Sequence, residues 1–290
     1  MKRKLLIVLG MLVSIYGIGD EQQANARGGV KVENLPTIFD DGTQVPEHIQ
    51  WMTWEEANEI IPRWSKFEVV DFETGLYFKV QRRAGAKHAD VQPLSKIDTA
   101  IMKEIYDGKW SWKRRAIFIR KGAHLIPASM HGMPHGAGAL ANNFPGHFCI
   151  HLPGSTTHRS SKQDPSHQLM IMKAAGMLDD YIQDASSEEL LHVFIQAVNQ
   201  EDLSIINRTI NNIDKGKELD RFFIMFRKQS TYREQPFSLQ VVEYPVTVIE
   251  SKREGRMKYK SLLRLERSEL SGRWHVNIDA FLQSLEDSTS

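Results

Sequence analysis

The sequence is short of cysteine and has no excess of charge of either sign. Cys149 is the only cysteine among 290 residues, so neither an intramolecular disulfide nor a structural four-cysteine zinc site can form. The 37 lysines and arginines are balanced by 36 aspartates and glutamates. Nucleic-acid recognition usually needs a strongly basic surface, so no nucleic-acid partner is expected. Hydrophobic residues at 41% and charged residues at 25% are typical of a folded globular protein.

The first 26 residues have the features of an export signal. Three basic residues precede an apolar run over residues 5–19, and residues 24–26 provide the Ala-Asn-Ala pattern that signal peptidases recognise. The apolar run is shorter than the roughly 20 residues of a membrane-spanning helix. We therefore predict a signal peptide at 1–26, a secreted protein, and no stable membrane span after cleavage.

The predicted export also indicates which molecules the protein can meet as partners. A secreted chain without disulfides suits the envelope of a bacterium that has a single membrane, where a free thiol can persist. The cell wall is the nearest abundant substrate in that compartment. We therefore expect an extracellular, wall-associated protein whose partner is peptidoglycan or another wall polymer.

Sequence patterns predict an α+β protein built from successive segments. Capping boxes, with Thr or Ser at the N-cap and Glu three residues later, predict helices after Thr53 and after Ser186. Alternating apolar runs on both sides of residues 73–75 predict a β-hairpin. After the signal peptide, the predicted divisions are an entry segment with a short helix at 27–66, a mostly β, catalytic-like domain at 67–168, a helical connector at 169–185 and an α+β module at 186–290.

The C-terminal module is predicted to contain helices followed by an antiparallel sheet. Its strands are predicted from apolar or alternating runs at residues 222–226, 239–242, 246–249, 259–265 and 274–278. In the order of its elements, the segment over 186–283 resembles the cystatin-like α+β domains related to nuclear transport factor. The resemblance implies a binding or accessory module, and we assign no catalysis to it.

The histidines are concentrated in one part of the sequence. Seven of the eleven fall within residues 124–167, which also hold the cysteine. If residues 146–152 form a strand, His147, Cys149 and His151 project from one face. An adjacent imidazolium lowers the pKa of a thiol, so this arrangement favours a cysteine nucleophile. Glycines over 132–138 would let backbone N–H groups approach the site, as an oxyanion hole requires.

These residues resemble the signature of a known family. The pair His131-Gly132 and the later segment GHFCIHL are similar to the His-Gly and Ser-His-Gly-Cys-Ile-Arg-Leu motifs of the YkuD-type L,D-transpeptidases. The resemblance implies an exported β-sandwich enzyme that cuts and rejoins peptidoglycan stem peptides. It makes Cys149 the nucleophile, His147 the base, and His131 the residue that orients the base or shapes the oxyanion site.

Three positions depart from that signature. Gly146 stands in place of Ser or Thr, Phe148 in place of the glycine before the nucleophile, and His151 in place of an arginine. Phe148 changes the backbone geometry expected beside the cysteine, and His151 removes the contact that a guanidinium would make. The motif therefore supports a site at the cysteine, with surroundings that differ from those of the family.

A wider block over residues 87–168 resembles an uncharacterised domain of exported, wall-associated proteins of Gram-positive bacteria. The segments that carry the resemblance are KHADVQPLSKIDTAIMKEIYDGKWSWKRRAIFI, ASMHGMPHG, GHFCIHLPGSTTH and DPSHQ. Proteins of this kind can carry Asp at the cysteine position. An aspartate there suits a metal ligand better than a nucleophile.

A metal site is therefore the main alternative. A catalytic zinc ion uses three protein ligands and a water molecule, although the chain has no His-Glu-x-x-His motif. The candidate ligands are His147, Cys149, His151, His88 and Asp90, with His131, His135, His158 and His167 as further histidines. This alternative predicts a zinc-dependent peptidoglycan peptidase. A third possibility is a non-catalytic wall- or partner-binding protein in which the cysteine is a core residue.

Aromatic and glycine residues complete the predicted substrate site. Trp110 and Trp112 are next to three cationic residues at 113–115. This combination suits the binding of a glycan or an anionic wall polymer. The alternative is that the tryptophans are core residues and the cations belong to a solvated turn. His151, Gly132 and His135 are the other predicted substrate-binding residues. The favoured function is action on peptidoglycan stem peptides through a cysteine nucleophile, with no organic cofactor and with zinc only in the alternative.

Overall fold

The computed structural model describes residues 48–157, 162–226, 240–252 and 255–287. The predicted signal peptide, the first part of the entry segment and His158 lie outside these residues. The described chain has an α+β fold, as predicted, with one closed barrel and one open antiparallel sheet. No helix in the described ranges is long and apolar enough to cross a membrane.

The barrel has six antiparallel strands. They are β1 (Lys66–Asp71), β2 (Tyr77–Ala84), β3 (Ala89–Pro93), β4 (Arg114–Lys121), β5 (His124–His131) and β6 (Phe148–His151). Their order around the barrel is β1-β2-β3-β6-β5-β4, and β1 closes it by pairing with β4. Closure leaves no strand edge unpaired along the sheet. The barrel therefore provides a rigid wall on which side chains can be positioned.

The predicted hairpin joins β1 to β2 and is confirmed. The Asp71 carboxylate accepts hydrogen bonds from the backbone N–H and the hydroxyl of Thr74, at 3.0 and 2.9 Å. Gly75 has a φ of 69°, which a glycine adopts without steric cost. The local sequence is thus sufficient to set this turn.

Alternating residues of all six strands fill the barrel interior. Two helices pack against this interior cluster, α1 (Trp54–Ile60) through Trp54 and α2 (Lys96–Ile105) through Met102. The strand residues in the cluster are Phe67, Val69, Phe78, Val80, Ala89, Val91, Ile117, Ile119, Ile126, Ala128, Met130, Phe148 and Ile150. Because side chains alternate along a strand, the residues between these members face outward.

Helices and a four-stranded sheet follow the barrel. The helices are α3 (Pro165–Ala174), α4 (Leu178–Asp184), α5 (Ser187–Gln200), α6 (Leu203–Thr209) and a 3₁₀ helix (Ile213–Arg221). The sheet has the order β10-β9-β8-β7, with β7 (Phe222–Met225), β8 (Val241–Lys252), β9 (Gly255–Arg267) and β10 (Trp274–Val276). The helix α7 (Ile278–Asp287) comes last. Helices before an antiparallel sheet are the predicted order.

Two sequence predictions for this sheet are wrong in detail. Residues 241–242 and 246–249, from two predicted strands, belong to the single strand β8, which continues through Pro245. The first residue of the strand predicted at 239–242 lies outside the described residues. Among the described residues, β7 pairs only with Thr247–Glu250, so Pro245 has no partner strand on that side and its missing N–H costs no ladder bond. The strand predicted at 274–278 ends at Val276, because α7 begins at Ile278.

The outer wall of the barrel packs against the C-terminal part of the chain. Val70, Phe118 and Leu125 face outward from β1, β4 and β5 and belong to the same hydrophobic cluster as Leu169 of α3 and Phe194 of α5. α3 lies directly against β4 and β5. One apolar layer therefore holds α3 beside the outer face of β5, which is also part of the candidate site.

Candidate functional site

The candidate site lies on the outer wall of the barrel, where β3, β6 and β5 are neighbours. Phe148 and Ile150 point into the barrel, so Cys149 and His151 face outward. Asp90 of β3 is directly opposite Cys149 in the strand register. This cross-strand pairing, between residues 59 positions apart, brings a carboxylate beside the thiol.

A loop over residues 132–147 folds back across this wall. Within it, His135 and His147 form an isolated antiparallel bridge, with N–H to O distances of 2.9 and 2.8 Å. Gly146 has a φ of 129°, and a Cβ there would lie 2.4 Å from the His135 carbonyl oxygen. Only glycine allows this close approach. The bridge therefore holds two imidazoles at the mouth of the site.

Gln92 fastens the loop to the barrel. Its buried amide donates to the Gly146 carbonyl oxygen at 2.6 Å and accepts from the Ala139 N–H at 3.0 Å. The nitrogen and the oxygen of one amide group thus hold the two sides of the loop. Gln92 was not predicted as a functional residue, because the local sequence does not specify its contacts with the loop.

Several metal-binding donor atoms surround the sulfur of Cys149. His135 Nε2 lies 3.4 Å and Asp90 Oδ1 lies 3.6 Å from Sγ. Asp90 Oδ1 is also 3.8 Å from His147 Nε2 and 3.1 Å from His88 Nε2. Donors from β3, β6 and the loop thus meet at one point.

The two ring nitrogens of His88 face a backbone carbonyl oxygen and the Asp90 carboxylate. Its Nδ1 is 2.8 Å from the carbonyl oxygen of Thr156, which can only accept a hydrogen bond. The ring therefore donates from Nδ1, and its Nε2 faces the Asp90 carboxylate. Either a proton or a metal ion between Nε2 and the carboxylate makes this contact favourable.

Further histidines stand in a row behind Cys149. The ring of His151 stacks on that of His88, with centroids 4.7 Å apart, and on that of His167, with centroids 3.9 Å apart. His167 comes from α3, and its Nδ1 is 2.9 Å from the hydroxyl oxygen of Ser129 on β5. The packing of α3 against the barrel therefore closes the inner side of the site.

Burial shifts the pKa values of three groups of the site. It holds the pKa values of His131 and His167 well below the usual value for histidine, and the charges of Arg114 and His151 act on both in the same direction. It also raises the pKa of the Cys149 thiol, and the nearby Asp90 carboxylate raises it further. The surroundings thus favour neutral rings at His131 and His167 and a protonated thiol at Cys149. The raised thiol pKa is opposite to the lowered one expected from the sequence.

Among the described residues, the donors form three overlapping groups, each with its ligand atoms within 4.8 Å of one another. Cys149 belongs to all three. The groups are His88 with Cys149 and His151, His131 with His135 and Cys149, and Asp90 with His147 and Cys149. Every residue of the predicted alternative ligand set therefore lies in one of these groups.

Of the two tryptophans predicted to bind substrate, Trp112 lies beside the site and Trp110 does not. Trp112 is half-exposed, and its ring lies 4.7 Å from that of His131 and 5.4 Å from that of His135. Trp110 instead packs edge-on against Phe144 and joins the barrel-interior cluster. The Gly132 N–H donates to the carbonyl oxygen of Ser111 at 2.9 Å. It is therefore already used within the fold.

Sequence reasoning identified the histidines and the cysteine but not how they are arranged. The strand β3, which positions Asp90 and follows His88, was not predicted. Its signal was present, because Ala89 and Val91 alternate with Asp90 and Gln92 in a pattern typical of a strand. That run, once recognised, predicts that Asp90 and Gln92 share a face.

Comparison of the chain with protein-family models, with curated proteins and with solved structures gives no significant match. The functional proposal therefore depends on the geometry and chemistry of the site.

Proposed function

We propose that the protein is a metal-dependent hydrolase, with zinc as the metal and peptidoglycan stem peptides as substrate. Asp90, His147 and Cys149 would hold the ion. This is the three-residue ligand set, with a place for water, that catalytic zinc sites use. His88 stands behind Asp90 and orients its carboxylate.

The spacing of the donor atoms is the observation that carries this proposal. In a tetrahedral shell with metal–ligand bonds of about 2.0–2.3 Å, neighbouring ligand atoms lie roughly 3.3–3.8 Å apart. The contacts from Asp90 Oδ1 to Cys149 Sγ and to His147 Nε2, at 3.6 and 3.8 Å, are close to this range. The contact between Asp90 and His147 is also longer than a direct hydrogen bond between nitrogen and oxygen.

The charges of the site also support a metal ion. The buried Asp90 carboxylate lies beside the protonated thiol of Cys149, and burying a charge is costly unless it is well paired. A divalent cation would pair with this carboxylate, and a thiol that coordinates the cation releases its proton to solvent or to a nearby base. The raised pKa of Cys149 in the metal-free site is thus compatible with metal binding, and unfavourable for a thiolate acting alone.

The bound ion would polarise the scissile carbonyl group and activate water for its hydrolysis. His147 and His135 are the partly exposed members of the cluster, so solvent and substrate would reach the ion from their side. Trp112 packs on His135 at this mouth and offers an apolar face to a substrate. The buried histidines behind Cys149 would hold the ligands in place.

A cysteine nucleophile is the second candidate, and one contact favours it. His135 Nε2 lies 3.4 Å from Cys149 Sγ, while its Nδ1 lies 3.1 Å from the carbonyl oxygen of Met133. If this carbonyl accepts a hydrogen bond from Nδ1, Nε2 is the unprotonated nitrogen of the ring and can accept a proton from the thiol. In this case the protein would transfer stem-peptide acyl groups through a thioester, with His135 as base.

The two parts of the chain would have different roles. The barrel carries the site, and the sheet at β7–β10 with its preceding helices would form a cystatin-like binding module. The export pattern of residues 1–26 supports a location at the cell wall, and the resemblance of 87–168 to wall-associated proteins points the same way. Peptidoglycan is then the substrate within reach.

Metal analysis of the purified protein, combined with an assay, tests this function. The protein is analysed for zinc by mass spectrometry and incubated with muropeptides before and after treatment with a zinc chelator. We expect stoichiometric zinc, cleavage that chelation abolishes and added zinc restores, and loss of both in Cys149→Ser. His192→Ala removes a half-exposed histidine of α5 and is the matched control.

The same samples separate the second candidate from the first. Rapid alkylation of Cys149 below pH 7 in a metal-free, active protein would reject the zinc proposal and support the thioester route. A protein with neither metal nor a reactive thiol would reject both.

A further inference from the structure

We propose that the site holds two metal ions and that the Cys149 thiolate bridges them. This inference rests on the proposed function and adds a second ion to it. The first ion is the one assigned to Asp90, His147 and Cys149. The second would be bound by His131, His135 and Cys149, a separate group with ligand atoms within 4.8 Å of one another.

The number of donors exceeds what one ion can use. A tetrahedral zinc ion takes four ligands, whereas the three groups around Cys149 contain seven different side chains. They share only the sulfur, so Cys149 is the natural bridge. Paired ions in hydrolytic sites lie about 3.5–4 Å apart and together stabilise the attacking and leaving oxygens.

His131 provides an independent indication of the second ion. Its side chain is buried, with 4% exposure, and its Nδ1 has no hydrogen-bond partner among the described residues. A buried imidazole nitrogen without a partner costs free energy unless something binds it. A metal ion bound to Nδ1 of His131 would satisfy this nitrogen.

The surroundings of this second group suit a metal ligand pair. The rings of His131 and His135 lie 5.1 Å apart, and Trp112 packs over both. His135 Nε2 is 3.4 Å from Sγ, which is about the edge length of a tetrahedral zinc shell. The half-exposed indole would limit the access of bulk water to this ion, as an apolar shell around a metal site does.

Native mass spectrometry during zinc titration tests the bridge. The protein is stripped of metal, titrated with zinc and compared with His131→Ala, His135→Ala and the control His192→Ala. We expect two zinc ions in the parent protein and in the control, and one in each of the two site variants. His135 is only partly buried, so its variant remains informative if His131→Ala does not fold.

The outcomes separate this inference from the proposed function. A parent protein that takes up one zinc ion and keeps zinc-dependent cleavage would overturn the second ion alone. Two ions in both site variants would overturn the assignment of His131 and His135. A parent protein that binds no zinc would overturn both proposals.

Discussion

Cys149 is the residue on which the candidate functions differ most. Its sulfur lies 3.6 Å from a carboxylate oxygen and 3.4 Å from an imidazole nitrogen, in a buried position on the outer wall of the barrel. A carboxylate neighbour destabilises a free thiolate, whereas a metal ion stabilises both groups at once. Substitutions that keep or remove a metal-binding side chain at this position can therefore show whether Cys149 is a metal ligand or a nucleophile.

Replacement of Cys149 by aspartate separates a ligand from a nucleophile. Aspartate can bind zinc but cannot form a thioester, so we expect Cys149→Asp to keep zinc and part of the cleavage activity, whereas Cys149→Ala loses most of the activity. Cleavage rates and zinc content of the two variants check this expectation. An inactive Cys149→Asp protein that still binds zinc would contradict it.

Phe148 has a structural role next to the site. It lies in the barrel interior against Phe78 and Phe144, with ring centroids 6.1 and 5.8 Å away. Phe148→Ala would leave a cavity, and we expect a loss of about 3–5 kcal/mol in the free energy of unfolding. Phe223→Ala, at a half-exposed residue of β7, is the control and should change it by less than about 1 kcal/mol. Urea denaturation measures both; equal losses would contradict this account.

At the scale of elements, the loop over residues 132–147 depends on one anchor. Gln92 binds both sides of it, so Gln92→Ala leaves a buried carbonyl oxygen and an N–H without partners, at about 1–3 kcal/mol each. The same change should release His135 and His147 from the site. We expect faster zinc loss to a chelator than from the parent protein, measured by stopped-flow with a colorimetric chelator. An unchanged rate would show that the loop holds its place without Gln92.

The capping box of α5 gives a prediction independent of the site. Ser186 caps the helix, and its hydrogen bonds lower the pKa of Glu189 below the usual value of 4.5. We expect Ser186→Ala to reduce the free energy of unfolding by about 1 kcal/mol. The pKa of Glu189 is lower in the folded state than in the unfolded state. Its contribution to the free energy of unfolding is therefore present at neutral pH and is lost as the pH falls below about 4.5.

Chemical denaturation at pH 7 and at pH 3 measures both effects. The difference between the parent protein and Ser186→Ala should be smaller at the acid pH. A difference that stays the same or grows would contradict the role assigned to Glu189.

Local elements could be predicted from the sequence, whereas their long-range pairing could not. The capping boxes at Thr53 and Ser186 and the turn at Gly75 depend on a few neighbouring residues, and the structure confirms all three. The contact of Asp90 with Cys149 depends on the pairing of β3 with β6, which no local pattern specifies. The histidines were therefore found as a group, but Asp90 and His88 appeared only as alternatives.

At the scale of the whole molecule, the site draws on segments far apart in the sequence. The proposed ligands come from β3, β5, β6 and the loop over 132–147, and α3 closes the inner side of the site through His167. Binding of an ion would therefore join parts of the chain that separate on unfolding. Metal binding and global stability should be coupled for this reason.

Removal of the metal should lower the unfolding temperature of the whole protein. At a zinc concentration 100 times Kd, binding contributes about 2.7 kcal/mol, which corresponds to roughly 5–11 °C for a domain of this size. Differential scanning calorimetry with and without a chelator measures this shift. His192→Ala should show the same shift as the parent protein, and Cys149→Ala should show much less. Equal shifts in all three would mean that the chelator acts elsewhere.

The central claim is that Cys149 is a metal ligand, and cobalt substitution tests it most directly. Cobalt(II) replaces zinc in most such sites, and a thiolate bound to it gives a sulfur-to-cobalt charge-transfer band in the near ultraviolet. We expect this band in the cobalt-loaded protein and in His192→Ala, and its loss in Cys149→Ser. A cobalt-loaded protein without the band, whose thiol is alkylated as fast as in the metal-free protein, would contradict the account.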